Sequence, residues 1–310
     1  MSLVLSLIIP AHNEAQRISS GFDRLKPVLG VLDTNTLEVI VVDDGSSDDT
    51  GRIAAQIYAE LPQHFVVRQE TNRGKGAAVR LGISAARGEK VLVCDADMAI
   101  DPSQIPEMLD VLDISPIGAG SRARDGHIQY NSRLRTSSGA AFNRLVRRYV
   151  DTSLRDTQCG FKGFQLGAAR LLSAFALVDG FAYDVEMLYL AQRLGLQVAG
   201  VPVTWDDVAG SSVSVLGDSR KMLHDIRSLR RNQYECPTVT VPFDVDVAAV
   251  RAVARESRQS GLVVARGERD CLICLPRDGA LAGVELAKRL NGQFALGVPE
   301  MFVDRQLTAV

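Results

Sequence analysis

The sequence lacks any long apolar run, and no hydrophobic stretch approaches the roughly 20 residues that a membrane-spanning helix needs. It also lacks an excess of one charge, because 35 basic and 37 acidic residues give a formal net charge of -2. A general nucleic-acid binder needs a strongly positive field, so this balance argues against that class. The first residues carry no basic region of the kind that opens a signal peptide, and we therefore expect a cytoplasmic protein.

Cysteine is scarce, with five residues, an odd number that does not form a fully paired disulfide framework. Cys271 and Cys274 have a C-x-x-C spacing, but they lie in an alternating apolar run, which favours buried thiols over a metal site. Reduced cysteines fit the cytoplasm. The chain does have 310 residues, 46% hydrophobic and 23% charged, which is enough to bury one large core and a second small one.

Three apolar segments predict buried strands that end in polar residues. They are residues 5–10, 39–42 and 91–94, and Asp95 and Asp97 follow the third. In a right-handed parallel sheet the carboxyl ends of such strands converge on one crevice. Two carboxylates at i and i+2 repel each other unless a cation lies between them, and a divalent ion that bridges to a nucleotide diphosphate resolves the repulsion. The pattern indicates chemistry on an activated sugar, with a solvated turn as the alternative.

Two further motifs precede the third strand. Asp43 and Asp44 follow the second strand, where a turn and helix cap is the alternative to ligand binding. Lys75 lies between Gly74 and Gly76 and opens a predicted helix. Backbone N–H groups at a helix N-terminus, with a cation beside them, suit a phosphate. The G-x-x-x-x-G-K-[ST] spacing of a Walker A loop is missing, so this is not a nucleotide-binding P-loop.

Seven segments, in chain order, carry a resemblance to a known family: IIPAHNE, VIVVDDGSSDDT, NRGKGAAVRLG, ARGEKVLVCDADM, GSRAR, DTQCGFKGF and YDVEMLYLAQRLG. Together they resemble the inverting family 2 glycosyltransferases, most of all the dolichyl-phosphate β-glucosyltransferases, with the dolichyl-phosphate mannose synthases as near relatives. The match covers residues 3 to 215. The resemblance implies an α/β GT-A fold with a Rossmann-like mixed sheet, a nucleotide-sugar donor, Mg²⁺ or Mn²⁺, and a polyprenyl phosphate acceptor.

The resemblance also implies roles for particular residues. The residues expected to bind the donor are Pro10, Ala11, Glu14, Asp44, Lys75 and Asp95. Asp95 and Asp97 are the expected metal ligands, with Asp97 in direct contact. Arg122 and Arg133 are expected to hold the acceptor phosphate. Asp156 is expected to position the acceptor, or to act as a base if the acceptor is a hydroxyl.

The chain departs from its relatives at one motif. They usually carry G-x-K or G-x-S-K after the last core strand, where this chain reads Gly210-Ser211-Ser212-Val213-Ser214 and has no lysine. The donor is therefore open: UDP-glucose is expected, with GDP-mannose as the alternative. A glycosyltransferase of the same fold acting on a saccharide or small-molecule hydroxyl is a second hypothesis. A non-catalytic nucleotide-sugar-binding protein is the third.

The sequence predicts three parts: a GT-A domain over residues 1–217, a basic amphipathic helix and linker over 218–235, and a small module over 236–310. In the helix, one apolar face is formed by Met222, Leu223, Ile226 and Leu229. Such a helix can rest on an anionic membrane as a peripheral contact, here on the cytoplasmic face. The alternative is an ordinary surface helix packed on the core.

The last part changes character. Strands are predicted at 238–245, 261–266, 270–275 and 293–298, and helices at 246–259 and 279–291. The order β-α-β-β-α-β predicts an α+β ferredoxin-like module. It contains no catalytic constellation, so the expected role is packing or dimerisation, and dimerisation would make the protein a homo-oligomer. Regulation or docking is the alternative.

Overall fold

The computed structural model describes residues 3–124, 127–128, 146, 156–157, 159–194, 196–205, 217–229, 238–242, 262–266 and 270–274. The chain divides into two compact units, Met1–Ala168 with Val178–Arg231 and Ala169–Leu177 with Asn232–Val310. The predicted division at residues 217 and 235 stays a prediction. Within the described ranges, no helix combines the length and apolarity that a bilayer crossing requires.

The elements from residue 5 to residue 228 lie in the first unit, except that most of the helix Leu166–Phe175 belongs to the Ala169–Leu177 segment of the second unit. The strands are β1 (Leu5–Ala11), β2 (Leu37–Asp43), β3 (His64–Arg68), β4 (Lys90–Val93), β5 (Ile117–Ser121), β6 (Ala123–Arg124), β7 (His127–Ile128), β8 (Lys162–Gln165) and β9 (Val198–Pro202). The helices are α1 (Ile18–Leu29), α2 (Thr50–Ile57), α3 (Lys75–Ala85), α4 (Ile105–Ile114), α5 (Leu166–Phe175), α6 (Tyr183–Arg193) and α7 (Gly217–Ser228). Single 3₁₀ turns lie at Tyr58–Glu60 and Pro102–Gln104.

Seven of these strands form one mixed sheet in the order β3-β2-β1-β4-β8-β5-β9. All neighbouring pairs are parallel except the two that involve β8, which runs antiparallel to β4 and β5. The carboxyl ends of six strands and the amino end of β8 therefore lie along one edge, which we call the site edge. Ligands of open α/β sheets bind outside the carboxyl ends of the strands.

The central strands are buried because helices cover the sheet. All seven residues of β1 and of β2 are buried, which explains their nearly continuous apolar runs. Helix α1 buries Ile18, Phe22 and Leu25, the i, i+4, i+7 spacing of a helix with one apolar face. Phe22 packs edge-to-face on Tyr58, with 4.7 Å between ring centroids. The strands predicted at residues 5–10, 39–42 and 91–94 are confirmed.

A buried carboxylate stabilises the end of the sheet that lies opposite the site edge. Glu38 is fully buried, and its Oε1 accepts hydrogen bonds from Ser6 Oγ and from the backbone N–H of Arg87, each at 2.6 Å. Its Oε2 accepts from Arg87 Nε at 2.8 Å, and the Gly88 N–H donates to Ser6 Oγ at 2.8 Å. The cluster ties β1, β2 and the turn before β4 together.

In the second unit, three short strands pair in antiparallel fashion: β10 (Thr238–Pro242), β11 (Leu262–Arg266) and β12 (Asp270–Cys274). Their order is β10-β12-β11, so the third strand lies between the first two, as in a split β-α-β arrangement. The predicted strand at 293–298 and the predicted helices at 246–259 and 279–291 lie outside the described residues. The ferredoxin-like assignment therefore stays a prediction.

The Glu38 cluster predicts a stability effect. We expect Glu38→Gln to lower the free energy of unfolding by about 2 kcal/mol, because it removes the charge from a buried acceptor of three hydrogen bonds. Urea denaturation followed by circular dichroism measures the change. The matched control is Glu60→Gln, whose partner Lys26 lies 3.5 Å away at an exposed site and whose loss should cost less than about 0.5 kcal/mol. Equal effects of the two variants would contradict the account.

Candidate active site

The loops that follow β1 and β2 are bound together at the site edge. The backbone N–H of Asn13 donates to Ser46 Oγ at 3.0 Å, and Asn13 Oδ1 accepts from the Ser47 N–H at 2.9 Å. Asn13 has a φ of 55°, a left-handed conformation that asparagine tolerates better than most residues. The Glu14 N–H donates to Thr50 Oγ1 at 2.7 Å. Pro10 and Ala11, at the end of β1, are buried beside these loops.

Asp43 and Asp44 both accept backbone hydrogen bonds. Asp43 Oδ1 accepts from the Ser46 N–H at 2.9 Å, which matches the turn that was the alternative for this pair. Asp44 reaches further: Oδ1 accepts from the Arg73 N–H at 2.8 Å, and Oδ2 accepts from the Gly74 N–H at 2.7 Å. Gly74 has a φ of 109°, which only glycine adopts without strain. Asp44 therefore fixes the turn that opens α3.

Lys75, the first residue of α3, forms an ion pair with Asp95, the first acid after β4. Lys75 Nζ also lies 5.8 Å from the centroid of the Tyr183 ring, a cation–π contact. The Asp95 side chain is 41% exposed. Although partial burial would raise its pKa, the positive charges of Lys75, Arg122 and Lys162 hold the pKa of Asp95 below its usual range. The structure thus brings Lys75 and Asp95 together in an ion pair, and their donor-binding roles stay predictions.

Asp97 lies in a tight turn with Asp95. The Met98 N–H donates to the Asp95 carbonyl at 2.9 Å, Met98 has a φ of 46°, and Asp97 Oδ1 accepts from the Ala99 N–H at 3.1 Å. Burial and the negative charge of Asp95 raise the pKa of Asp97. Glu14 shares this negative field: burial is the main cause that raises its pKa to about 6, Arg17 opposes the rise, and the charge of Asp97 adds to it. Asp97 and Glu14 therefore both have raised pKa values, mainly through burial and in part through a neighbouring carboxylate, whereas the cations around Asp95 lower the pKa of that acid.

Arg122 and Asp156 bind each other. Arg122 follows β5, and its Nε and Nη2 donate to the two oxygens of Asp156 at 2.6 and 3.0 Å, while its backbone N–H donates to Asp156 Oδ2 at 3.1 Å. Asp156 is fully buried, which alone would raise its pKa, but the bonds and charge of Arg122 lower it. The sequence analysis gave these residues separate roles, whereas the structure joins them as a bidentate ion pair. Arg133 lies outside the described residues.

Two further residues next to the site edge were missed. Lys162 is 1% exposed, its Nζ donates to the Cys159 carbonyl, and it lies 3.4 Å from Asp184 Oδ1. At Gly160, an added Cβ would lie only 2.3 Å from Asp95 Oδ2, so the turn before β8 packs directly on that acid. The signal for Lys162 was a single charged residue in the otherwise apolar Cys159–Phe164 segment.

The loop before α6 holds the start of α3. Arg80 Nη1 donates to the Val178 carbonyl at 2.6 Å, and Arg80 pairs with Asp179, whose carbonyl accepts from the Ala77 N–H at 3.2 Å. Glu186 Oε2 accepts from the Val178 N–H at 2.9 Å. Glu186 therefore has a structural contact with the loop, and Asp184 has one with Lys162.

Helix α7 buries part of its apolar face. Ile226 and Leu229 are fully buried, whereas Lys221 and Arg227 are exposed. The protein therefore covers the C-terminal end of the apolar face. This agrees with the alternative prediction of an ordinary surface helix packed on the core. The segment at residues 210–214, where the family lysine is missing, lies outside the described residues.

The described residues contain no group of three or more His, Cys, Asp or Glu side chains arranged to hold a metal ion. Asp95 and Asp97 nevertheless supply carboxylate oxygen atoms from one tight turn, and the charge of Asp95 contributes to the raised pKa of Asp97. Mg²⁺ and similar ions are commonly held by one or two carboxylates together with substrate phosphates and water. The donor set at the site edge fits that kind of ion.

The sheet order, the reversed β8 and the acids after β4 define a glycosyltransferase with a GT-A fold. Residues 6–172 match the model of the family described as "Glycosyl transferase family 2". The chain belongs to glycosyl transferase family 2 and is a glycosyltransferase.

Curated relatives and solved structures agree with this assignment. The chain is 32% identical over 243 residues to a dolichyl-phosphate β-glucosyltransferase of Dictyostelium discoideum, with 74% of each chain covered. It is 36% identical over 242 residues to the human protein of that name, covering 73% of this chain and 74% of the relative. Among solved structures, glucosyl-3-phosphoglycerate synthase from Mycobacterium tuberculosis, with Mn²⁺, UDP-glucose and phosphoglyceric acid, aligns with a TM-score of 0.55 at 21% identity, over 73% of this chain and 79% of that one. The last comparison shows the fold alone.

The raised pKa of Glu14 predicts a pH dependence of stability. Because the folded state binds the proton more tightly than the unfolded state, whose pKa is close to 4.5, ionisation of Glu14 removes stability as the pH rises through the window from 4.5 to 6. Between pH 5 and 7.5 we expect this residue to remove about 1 kcal/mol. The Glu14→Gln variant loses that contribution, so its stability relative to wild type should rise by the same amount across the window.

Urea unfolding of both proteins at pH 5 and 7.5, with EDTA present to remove divalent ions, measures the difference. Parallel pH profiles of the variant and the wild type would show that Glu14 titrates as an ordinary surface carboxylate.

Proposed function

We propose that this protein transfers glucose from UDP-glucose to a polyprenyl phosphate of the dolichyl type, with inversion at the anomeric carbon and with a divalent cation, at a membrane surface. One observation carries the proposal: the Lys75–Asp95 ion pair lies at the site edge, where a diphosphate would bind. It supports the proposal because the chain aligns, over about three quarters of both lengths, with curated relatives named dolichyl-phosphate β-glucosyltransferase.

The donor would lie along the site edge from β2 towards β4. Pro10, Ala11 and Glu14 are proposed to line the pocket for the base and ribose. Asp44 is proposed to act indirectly, because both of its oxygens accept backbone N–H groups from the turn that opens α3. That turn presents the N-terminus of α3 and the ammonium of Lys75 to the diphosphate, where a helix dipole and a cation both favour negative charge.

Asp95 and Asp97 are proposed to hold Mg²⁺ or Mn²⁺. Their fit rests on the two carboxylates that one tight turn holds next to each other. Burial is the main cause that raises the pKa of Asp97 and the charge of Asp95 adds to it, so a cation between the two would relieve that repulsion. When bound, such an ion neutralises negative charge that develops on a departing diphosphate. Lys75 contributes a second positive charge to the same region through its pair with Asp95.

The acceptor side favours a phosphate over a hydroxyl. A phosphate monoester is largely ionised near pH 7, with a second pKa of about 6, so it needs cations rather than a base. The buried Asp156 accepts hydrogen bonds from Arg122 on both oxygens, and its pKa is lowered. Asp156 is therefore a poor general base. We assign Asp156 to positioning Arg122 as a cation for the acceptor phosphate. Arg133 is the proposed second cation.

The proposed membrane contact is peripheral and electrostatic. On α7, Ile226 and Leu229 are buried within the protein, so they are not available to enter a bilayer. Lys221 and Arg227 are exposed, and each basic residue near an anionic surface contributes about 1 kcal/mol. The cytoplasmic leaflet carries such anionic lipids, and this supports the cytoplasmic face as the proposed location.

The decisive experiment offers the purified protein labelled UDP-glucose, UDP-galactose and GDP-mannose in turn, with Mn²⁺ and a polyprenyl phosphate. Label extracted into the organic phase from UDP-glucose alone is the expected result. Label from GDP-mannose alone would overturn the proposed donor. Label that stays in water with every donor would overturn the lipid acceptor.

Within that assay, Asp97→Asn should lower kcat at least about 100-fold, because it removes a proposed metal ligand while keeping the shape of the side chain. The control is Asp101→Asn, a nearby acid whose Oδ1 only caps a 3₁₀ turn through the Ser103 N–H at 2.9 Å. Asp101→Asn should retain activity within about threefold. Full activity of Asp97→Asn would remove the metal from the account.

The membrane contact predicts a second result. The double variant Lys221→Glu/Arg227→Glu should bind vesicles that contain phosphatidylserine at least about tenfold more weakly than wild type. The control Lys26→Glu/Arg52→Glu makes the same change in net charge at two exposed cations on α1 and α2. Co-sedimentation measures both. An equal loss in the two variants would mean that net charge, and not the α7 surface, governs binding.

A further inference from the structure

Trp205 is the single tryptophan of the chain, and nothing above gives it a role. It follows β9 at the site edge and is half-buried. The largest aromatic side chains of the core, such as Tyr58 and Phe161, are fully buried. An exposed part of an indole next to a binding region is a recognition feature more often than a packing feature, because the ring joins a large apolar face to a polar N–H.

The backbone of Trp205 is fixed to the segment that carries the acids. Trp205 forms an antiparallel bridge with Ile100, and the Asp101 N–H donates to the Thr204 carbonyl at 3.2 Å. The Thr204 N–H donates in turn to Gln104 Oε1 at 2.9 Å. The segment that follows β4 therefore crosses the site edge, where Ile100 pairs with Trp205, three residues after the end of β9.

The ring of Trp205 is fixed as well. The guanidinium of Arg122 lies over the indole, 5.8 Å from its centroid, in a cation–π contact. Asp156 holds that guanidinium by two hydrogen bonds at 2.6 and 3.0 Å. The indole is thus held through both its backbone and its cationic neighbour, and a pre-oriented ring loses little entropy when a ligand binds.

Trp205 lies near the acids after β4, because Arg122, which contacts its ring, is also close enough to Asp95 to lower the pKa of that acid. The chain sets an upper limit on the separation. Ile100 is three residues from Asp97, so their Cα atoms are at most about 11 Å apart. A bridge partner adds about 5 Å. In the sheet order, β9 lies on the far side of β4 from β1 and β2, whose ends are the proposed nucleotide pocket. A hexose on a diphosphate held at Asp95 and Asp97 would extend from the nucleotide towards β5 and β9.

We propose that the indole of Trp205 is the platform on which the hexose ring of the donor rests. This proposal rests on the proposed function, and it assigns recognition of the donor hexose to Trp205. A pyranose presents C–H groups on a face and hydroxyls around its rim. The C–H face would cover the exposed part of the indole, while Arg122 lies close enough to meet a rim oxygen or the phosphate.

The single tryptophan makes the test direct, because all indole emission of the protein reports on this residue. Saturating UDP-glucose with Mn²⁺ should change the emission intensity or wavelength, whereas saturating UDP with Mn²⁺ should leave it within a few per cent of the free protein. Calorimetry on the same samples establishes that each nucleotide is bound. An equal emission change with UDP and UDP-glucose would overturn the proposal.

Kinetics of two variants complete the test. Trp205→Leu should raise the KM for UDP-glucose about tenfold and leave the Kd for UDP within twofold, and Trp205→Phe, which keeps an aromatic face, should recover most of the loss. The matched control is Phe65→Leu, which should change neither constant. Phe65 is an exposed aromatic residue on β3, and its ring centroid lies 5.1 Å from the guanidinium of Arg87, at the end of the sheet opposite the site edge.

The other outcomes also decide the matter. If Trp205→Leu weakens UDP and UDP-glucose equally, the residue only supports the fold and the proposal fails. If it raises only the KM for the polyprenyl phosphate, the indole meets the lipid and the proposal fails. If calorimetry detects no binding of UDP-glucose to the wild type, the proposed function fails together with this inference, whereas binding without an effect of Trp205→Leu overturns the inference alone.

Discussion

The placement of two carboxylates in one tight turn after β4 is the constraint around which the site is built. Burial raises the pKa of Asp97, and repulsion from the charge of Asp95 adds to the rise. The fold opposes this repulsion with an ion pair from Lys75 and with the buried charge of Lys162 nearby. Two acids with fixed cations around them are the arrangement that the proposed metal ion and diphosphate need.

The reversed strand β8 makes this arrangement possible. Because β8 runs against β4 and β5, the turn that enters it lies at the same edge as the ends of the parallel strands. That turn packs Gly160 against Asp95, and Asp156, just before it, forms an ion pair with Arg122. Lys162, the first residue of β8, fastens the turn by donating to the Cys159 carbonyl. One change of strand direction thus places the acceptor candidates beside the donor candidates.

Much of the fold could be predicted from the sequence, because strand ends are local signals. The apolar runs before Pro10, Asp43 and Asp95 were enough to place three strands, and the glycines around Lys75 marked the start of α3. Partners across the sheet could not be predicted in this way. Arg122 and Asp156 are 34 residues apart, and no local pattern shows that they form an ion pair.

Helix α7 shows the same limit of sequence analysis. Its apolar spacing was equally compatible with a membrane and with the protein core, and only packing decides that Ile226 and Leu229 are buried in the protein. Diffraction from a crystal soaked with Mn²⁺ and UDP-glucose tests the central claim most directly. The account predicts an anomalous peak for manganese in contact with Asp97 and next to Asp95, with Lys75 turned towards the diphosphate. A bound nucleotide with no ion beside either acid would contradict it.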